Sequence, residues 1–251
     1  MTLPVIEVVN LSHDYGETGT GIRNISFCVQ PGEFILVAGR NGSGKSTLFR
    51  HLNGLQHPTS GDVLVKGRSV ITHPMDARKT VGMVFQDPDL QILGETVGDD
   101  TAFGPENLGL SRQEITERVN TSLSALGLLH LKDRSPVTLS GGEKRRLAIA
   151  GVLAMHPEVI VLDEPFSNLD YPGSLDLLDC VTSLHASGCT IILATHDIEK
   201  VIACATRMIV LDKGTLAADG PPRSLVKTVE VFGVREPCAS RFGMEILPWK
   251  R

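Results

Sequence analysis

One short stretch, GRNGSGKST at residues 39–47, has the residue types and spacing of a loop that binds phosphate groups. It fits the pattern G-x-x-x-x-G-K-[ST] at Gly39, Gly44, Lys45 and Ser46. Small residues let backbone N–H groups approach phosphate oxygens closely, and the N-terminus of a following helix favours negative charge. The stretch therefore predicts an ATP site whose phosphates contact Gly39, Arg40, Asn41, Gly42, Ser43, Gly44, Lys45, Ser46 and Thr47.

A second group of residues has the types needed to hold Mg²⁺ and to activate water. In VIVLDE, Asp163 ends a predicted strand and Glu164 follows it, at the edge where open α/β sheets bind ligands. Magnesium prefers oxygen ligands, so we predict that Ser46, Asp163 and Gln86 hold it. Glu164 is predicted to polarise the attacking water as a general base. The alternative for the acidic pair is a helix N-cap before PFSNLD.

Two further polar residues follow predicted strands. His196 comes directly after TIILAT and is predicted to reach the γ-phosphate. Gln86 comes directly after VGMVF and is predicted to contact the metal or the attacking water. Outside such a site, His196 would cap a turn and Gln86 would be an ordinary loop residue.

LSGGE at residues 139–143 predicts a second anion site at a helix N-terminus. Ser140, Gly141 and Gly142 offer a hydroxyl and backbone donors, and Glu143 follows them. An ordinary N-cap before an amphipathic helix explains Ser140 but leaves the paired glycines unexplained. The chain thus carries two candidate phosphate sites, far apart in the sequence.

The predicted elements place these residues in the order that the chemistry requires. EFILVA predicts a strand before the phosphate loop, and KSTLFRHLNGL predicts a helix after it. VIEVVN, NISFCV, DVLVK and VGMVF predict short strands of an antiparallel sheet near the N-terminus. Nearly continuous apolar runs at 159–163, 190–195 and 208–212 are typical of buried parallel strands.

Helical periodicity between residues 96 and 155 predicts an insertion between strands, with helices over 111–128 and 143–155. A turn is expected at 217–222 before a short C-terminal segment.

Composition excludes several classes of function. A net charge of −5 and a pI near 5.9 argue against a nucleic-acid partner, because such binders normally present a basic face. The start MTLPVIEVVN does not resemble a signal peptide, and no apolar stretch approaches the roughly 18 residues of a membrane helix. We therefore expect a chain that neither enters nor crosses a membrane. Unpaired cysteines and scattered histidines predict buried free thiols and no zinc site.

Together, GRNGSGKST, Gln86, LSGGE, VIVLDE, SNLD and ATHD occur in the order that resembles the ATP-binding subunits of ABC transporters. The resemblance implies an α/β fold, with a P-loop NTPase core built on a mixed or parallel sheet, an N-terminal antiparallel β-subdomain and an inserted helical subdomain. It implies an ATP-binding domain over 1–225, with the helical part at about 96–156, and a short appendage over 226–251.

In that family, two ATPase domains close head to tail, so that each ATP lies between the phosphate loop of one domain and the signature sequence of its partner. LSGGE matches the signature sequence in this chain. The resemblance implies that Ser140, Gly141, Gly142 and Glu143 contact the partner's ATP. It also implies that Tyr15 stacks on the adenine and that Asp170 faces the opposite subunit, although Asp170 would otherwise cap a helix. The sequence leaves a homodimer and a heterodimer equally open.

A narrower resemblance joins HLNGLQHPTSG, VFQDPDLQI and LAIAGVLAMHPEVIVLDEPFSNLD to the energy-coupling-factor group of importers for vitamins, cobalt or nickel. It implies an integral membrane coupling subunit and a substrate-binding membrane subunit as partners, and a peripheral place on the cytoplasmic face of the cell membrane. QDPDLQILGETVGDD is rich in acidic residues and contains no basic one, so we predict that Asp89 and Glu95 help to dock arginines of the coupling subunit. Capping of the next helix is the alternative for these carboxylates.

Two other classes fit less well. Repair-type relatives insert a long coiled coil between phosphate loop and signature, and translation-type relatives carry two such domains. A non-hydrolysing regulatory module should have lost Glu164 or His196, which are both present.

Overall fold

The strands of this chain form two sheets, a four-stranded antiparallel one and a six-stranded, mostly parallel one, and the helices pack against them. A computed structural model describes residues 3–16 and 21–249. The strands are β1 (Ile6–His13), β2 (Ile22–Val29), β3 (Phe34–Ala38), β4 (Ser60–Val65), β5 (Arg68–Ser69), β6 (Val81–Val84), β7 (Val159–Asp163), β8 (Thr190–Thr195), β9 (Arg207–Asp212) and β10 (Thr215–Gly220). The helices are α1 (Lys45–Leu52), α2 (Pro74–Thr80), α3 (Val97–Asn107), α4 (Arg112–Ala125), α5 (Gly141–Leu153), α6 (Tyr171–Ala186), α7 (Pro222–Leu225) and α8 (Cys238–Arg241).

The smaller sheet is antiparallel, with the order β2-β1-β4-β5. In β1, Ile6, Val8 and Leu11 are buried while their neighbours are more exposed, as expected for a sheet with one covered face. The predicted N-terminal antiparallel sheet is therefore present. The strand predicted from VGMVF is real but does not belong to this sheet.

The larger sheet has the order β10-β9-β3-β8-β7-β6 and is parallel except for the β9–β10 pair. Strands β3, β7 and β8 are buried throughout, which matches their continuous apolar sequences. Strand β6 pairs with β7, and all four of its residues are buried. A strand covered on both faces fits a parallel sheet better than a sheet with one solvated face, which explains why VGMVF lies here.

At the other edge of this sheet, the turn expected at 217–222 is wrong. Residues Thr215–Gly220 form β10, which pairs antiparallel with β9 through a tight hairpin at Lys213 and Gly214. An edge strand needs only one partner and little apolar content, so its sequence resembles that of a turn.

The helical insertion between β6 and β7 contains α3, α4 and α5, which pack on one another. Ser111 and Glu114 form a reciprocal cap at the start of α4, and Ser140 and Glu143 form the same cap at the start of α5. Helix α5 therefore begins at Gly141, two residues before the predicted start. Over residues 3–16 and 21–249, no helix is both long and apolar enough to cross a membrane.

Strand β3 separates two apolar cores. Phe34, Leu36 and Ala38 face the core that contains α5 and α6, whereas Ile35 and Val37 face the core shared with α1 and the antiparallel sheet. The chain after residue 225, expected to be an appendage, contributes Val226, Val229 and Val234 to the first core. This segment therefore packs against the larger sheet, whose strand β3 leads into the phosphate loop.

The five cysteines are free thiols, and each is partly buried where full burial was expected. Burial raises the pKa of Cys180 and of Cys189 to about 11, so these thiols stay protonated at neutral pH. Among the described residues, no group of three or more His, Cys, Asp and Glu side chains is arranged to hold a metal ion.

Candidate functional site

The phosphate loop connects β3 to α1 and depends on two glycines. Gly39 has a φ of 155°, and a Cβ there would lie 2.5 Å from the main-chain oxygen of Leu211. Gly44 caps α1 with a φ of 104°, in a conformation that glycine adopts at low cost. No side chain of the described residues caps α1, and its first turn holds no acidic residue, so the first N–H groups of the helix face the loop unpaired by these side chains. This is the arrangement that an anion requires.

Lys45 lies folded over the loop instead of extending into solvent. Its Nζ donates to the main-chain oxygen of Gly39 at 2.8 Å and to that of Arg40 at 3.4 Å. The same Nζ lies 3.4 Å from Oε1 of Glu164. The lysine charge is therefore held close to both the loop and the predicted general base. Arg40 and Asn41 are exposed, whereas Ser43 is buried.

Asp163 and Glu164 lie at the carboxyl end of β7, as predicted. The hydroxyl of Ser46 hydrogen-bonds to Asp163, and burial raises the pKa of that carboxyl despite this bond. In the described part of the chain, Asp163 Oδ1 is buried without a hydrogen-bond partner. Buried oxygens of this kind suit a hard cation, so Ser46 and Asp163 fit Mg²⁺.

Glu164 adopts a φ of 46°, which is unusual for a residue with a side chain. Its N–H donates to the oxygen of Ala194 on β8 at 2.9 Å, which fixes the turn after β7. Its carboxylate reaches His196, whose Nδ1 lies 3.0 Å from Oε2. The His196 ring is 56% exposed, so it faces the open side of the site. The structure thus brings Lys45, Glu164 and His196 together.

Gln86 follows β6 beside β7, and its side chain is exposed. No hydrogen bond or ion pair of the described residues joins this side chain to the phosphate loop or to Asp163. Its main-chain oxygen instead accepts a hydrogen bond of 2.5 Å from Nη1 of Arg145. Gln86 therefore lies near the correct edge of the sheet, with its side chain towards solvent.

Arg145 was not predicted from the sequence. Its side chain is buried, and its guanidinium donates to the main-chain oxygens of Gln86, after β6, and of Ser167, after β7. A signal was available, because Arg145 shares a helix face with Ala148, Ile149 and Val152, at the three- and four-residue spacing of a buried stripe. An arginine on that face is costly to bury without hydrogen-bonding partners.

Among the described residues, no hydrogen bond or ion pair joins the side chains of Ser140 and Glu143 to the phosphate loop of the same chain. Ser140 and Gly141 are exposed, and a Cβ at Gly141 would meet nothing within 4 Å. Glu143 occupies the cap: its Oε2 accepts the N–H of Ser140 at 2.7 Å and the hydroxyl of Ser140 at 2.9 Å. These hydrogen bonds lower the pKa of Glu143, so it is a carboxylate at neutral pH. Of the donors predicted for a phosphate, those of Ser140 are thus held by an anion of the chain itself.

Asp170 and Tyr15 both make contacts within the chain. The carboxylate of Asp170 caps α6 by accepting the N–H of Gly173 at 2.9 Å, and the residue is exposed. The hydroxyl of Tyr15 lies 3.1 Å from Oγ1 of Thr47. The Tyr15 ring is 41% exposed beside the phosphate loop, where it can meet a base.

Most acidic side chains in the segment after Gln86 bind other groups of the same chain. Asp87 caps the turn at Pro88–Leu90, and Asp89 forms an ion pair of 2.6 Å with Lys144. Asp100 is buried and accepts the N–H groups of Leu93 and Gly94. Asp99 is bound by the capping hydroxyl of Thr96. Of the two carboxylates predicted to dock a partner, Asp89 is already paired and Glu95 is exposed.

Known proteins resemble this chain over nearly its whole length. A family model described as ABC transporter matches residues 22–167. The chain is 43% identical over 231 residues to the energy-coupling factor transporter ATP-binding protein of Methanocaldococcus jannaschii, covering 91% of this chain and 83% of that protein. It is 42% identical over 241 residues to the protein of the same name from Methanococcus maripaludis, covering 94% and 87%. The solved structure of CbiO1 from Clostridium perfringens, described as part of the ABC transporter complex CbiONQ, aligns with a TM-score of 0.81 and 34% identity, covering 96% and 97%.

Proposed function

The chain belongs to the ABC transporter ATP-binding family, whose members couple ATP hydrolysis to transport, and we propose that it powers an importer of the energy-coupling-factor type. The cargo is a small substrate, either a transition-metal ion such as cobalt or nickel, or a vitamin. The observation that carries the catalytic part is the buried Glu164 carboxylate, placed between Lys45 and His196 at the carboxyl ends of parallel strands.

We propose the following roles for the residues of this site. Backbone N–H groups of the loop after Gly39 hold the phosphates of ATP, and Lys45 turns from main-chain oxygens towards them. Ser46, Asp163 and Gln86 would hold Mg²⁺, and the ion would supply positive charge against the negative charge of the phosphates.

Glu164 orients the attacking water and accepts its proton. Its contact with Lys45 is lost when the phosphates take over that charge, and the carboxylate is then free to act. His196 is held through Nδ1 by Glu164, so Nε2 is the ring nitrogen that remains to meet the γ-phosphate.

A second ATPase subunit completes the site in this proposal. Ser140 and Gly141 are exposed and Gly142 is half-buried beside them, and these residues bind the ATP of the partner, with Asp170 near the interface. The carboxylate of Glu143 must leave the N–H and hydroxyl of Ser140 before a phosphate binds there. Either an identical or a related chain can supply the second half.

The contact with the membrane coupling subunit is proposed to be mainly apolar. A groove of about 400 Å³ lies between α2 and the helical insertion, with Leu55, Met75, Phe85, Phe103, Leu108 and Met155 in its lining. The Gln86 segment borders it, with Leu90 and Leu93 exposed. Asp89 is already paired with Lys144, so of the two carboxylates predicted to bind arginines of the coupling subunit, mainly Glu95 remains available.

Co-purification with tagged membrane subunits, followed by uptake of labelled metal or vitamin, tests this proposal. Phe103→Glu should prevent assembly, because a charge in an apolar groove becomes desolvated when the partner covers it. Phe242→Glu is a matched control, since Phe242 is exposed and lies outside the groove. Both variants should keep the ATPase activity of the isolated subunit. Assembly and uptake that survive Phe103→Glu would contradict the apolar contact.

A further inference from the structure

The buried guanidinium of Arg145 joins three segments that the proposed reaction uses separately. Nη1 donates to the main-chain oxygen of Phe85 at 3.1 Å and to that of Gln86 at 2.5 Å. Nη2 donates to the main-chain oxygen of Ser167 at 3.3 Å. Arg145 itself lies in the first turns of α5, the helix that begins at Gly141 directly after the signature serine. One side chain therefore connects three segments: residues 85–91, here called the Gln86 loop; α5, the signature helix; and residues 167–170, which lead to α6.

This arginine is not explained by charge pairing. Within residues 3–16 and 21–249, no carboxylate forms an ion pair with it, and its Nε is buried without a partner. Burial lowers the pKa of Arg145, with Asp87 opposing the effect. A buried charge held mainly by main-chain oxygens is a costly way to stabilise a fold. Its geometry, a rigid fork that reaches two segments at once, is what a lysine or an apolar residue would not supply.

Two neighbouring contacts tie the same loop to the same helix. Gln91 accepts the N–H of Phe85 at 3.1 Å and donates to the oxygen of Ala148 on α5 at 3.4 Å. Lys144 pairs with Asp89 at 2.6 Å. The Gln86 loop is thus attached to the signature helix, and of these described contacts only that of Arg145 extends to Ser167 as well.

We propose that Arg145 is a positioning residue that makes the Gln86 loop, the start of α5 and the 167–170 segment move as one body. The inference rests on the proposed function, in which Gln86 serves the ATP of its own subunit while Ser140 and Asp170 serve that of the partner. A displacement of Gln86 at one nucleotide then displaces the donors at the other. The two ATP sites of a dimer respond to each other through this side chain.

Backbone hydrogen exchange on the full chain tests the mechanical part. Arg145→Met should accelerate exchange in residues 85–91 and 167–170 together, by about tenfold, because both lose the same anchor. Arg118→Met is the matched control: Arg118 also donates to two main-chain oxygens, those of Ala154 and Met155, at the opposite end of α5. Acceleration confined to one segment, or equal in both variants, would overturn the proposal.

Steady-state kinetics test the functional part. Arg145→Met should lower kcat by about ten- to a hundredfold through misplacement of Gln86, while KM for ATP stays close to that of the unmodified chain. Its effect on kcat should be less than additive with that of Gln86→Ala, because both act on one group. Additive effects, or an unchanged kcat, would refute the positioning role.

A conservative variant separates geometry from charge. Arg145→Lys keeps the charge but places its donors on one atom, so it should resemble Arg145→Met in exchange and in kcat. Exchange and kcat like those of the unmodified chain would refute the bridging geometry. If the unmodified chain hydrolysed no ATP, the proposed function would fail, while the exchange comparison would still decide whether Arg145 joins the segments.

Discussion

Nζ of Lys45 lies 3.4 Å from Oε1 of Glu164, and both side chains are almost completely buried. The residue predicted to bind phosphate and the residue predicted to activate water therefore compensate each other's charge. Removing either partner would leave a buried charge with less compensation, which is costly in a poorly solvated site. The pair gives a physical reason for coupling phosphate binding to release of the base.

Glu164→Gln should stall hydrolysis while leaving ATP binding intact. The amide keeps the shape of the side chain but loses its basicity, so turnover should fall by about 10²- to 10⁴-fold. Phosphate release under single-turnover conditions and fluorescent-nucleotide binding measure the two effects. Glu158→Gln is a suitable control, because Glu158 is an exposed partner of Lys66. Turnover near that of the control would exclude Glu164 as the base.

Asp163→Asn should stabilise the chain at neutral pH in magnesium-free buffer and abolish magnesium-dependent hydrolysis. Because burial raises the pKa of Asp163, the folded state favours the protonated carboxyl. The stability that protonation gives is complete below the ordinary pKa of an aspartate and is lost as pH rises through the raised pKa of the folded state. The neutral amide avoids this loss. Thermal unfolding should show a higher Tm, by about 2–4 °C for each kcal/mol gained, and the difference should shrink in acid. A lower Tm at pH 7 would contradict this account.

Glu143→Gln should strengthen ATP-driven pairing of subunits. The carboxylate now held by Ser140 repels a phosphate that seeks the same donors, and the amide removes that repulsion while keeping a cap. Light scattering in the Glu164→Gln background should show dimers at lower ATP concentration. Ser140→Arg should have the opposite effect, because its bulk covers the helix N-terminus. Dimer formation at the same ATP concentration with and without the Glu143→Gln change would disprove the repulsion.

Asp89→Lys should destabilise the isolated subunit slightly, because it places like charges together beside Lys144. The pair is partly exposed, so the change is worth about 0.2–1 kcal/mol at low salt. Adding Lys144→Asp should restore the Tm, since it recreates the pair in reverse. Glu95→Lys provides the comparison, as Glu95 is exposed. Failure of the charge reversal to restore the Tm would mean that the Asp89–Lys144 contact contributes nothing measurable.

The sequence by itself determined the features that depend on neighbouring residues. The glycines and Lys45 of the phosphate loop, the cap at Ser140, and the apolar runs of β3, β7 and β8 were all predictable, because backbone conformation and burial on both faces leave a local pattern. The ABC transporter family followed from the order of these local motifs, and the comparisons confirm it.

Only the tertiary structure decided which of these local features meet. Strand order places β8 between β3 and β7, which brings together Lys45 at the start of α1, Glu164 after β7 and His196 after β8. The same order puts β6 in the parallel sheet and lets β10 pair at its edge. The contacts of Arg145 depend on how α5 packs against the segments that follow β6 and β7, and no short sequence pattern encodes a contact between a helix and loops distant along the chain.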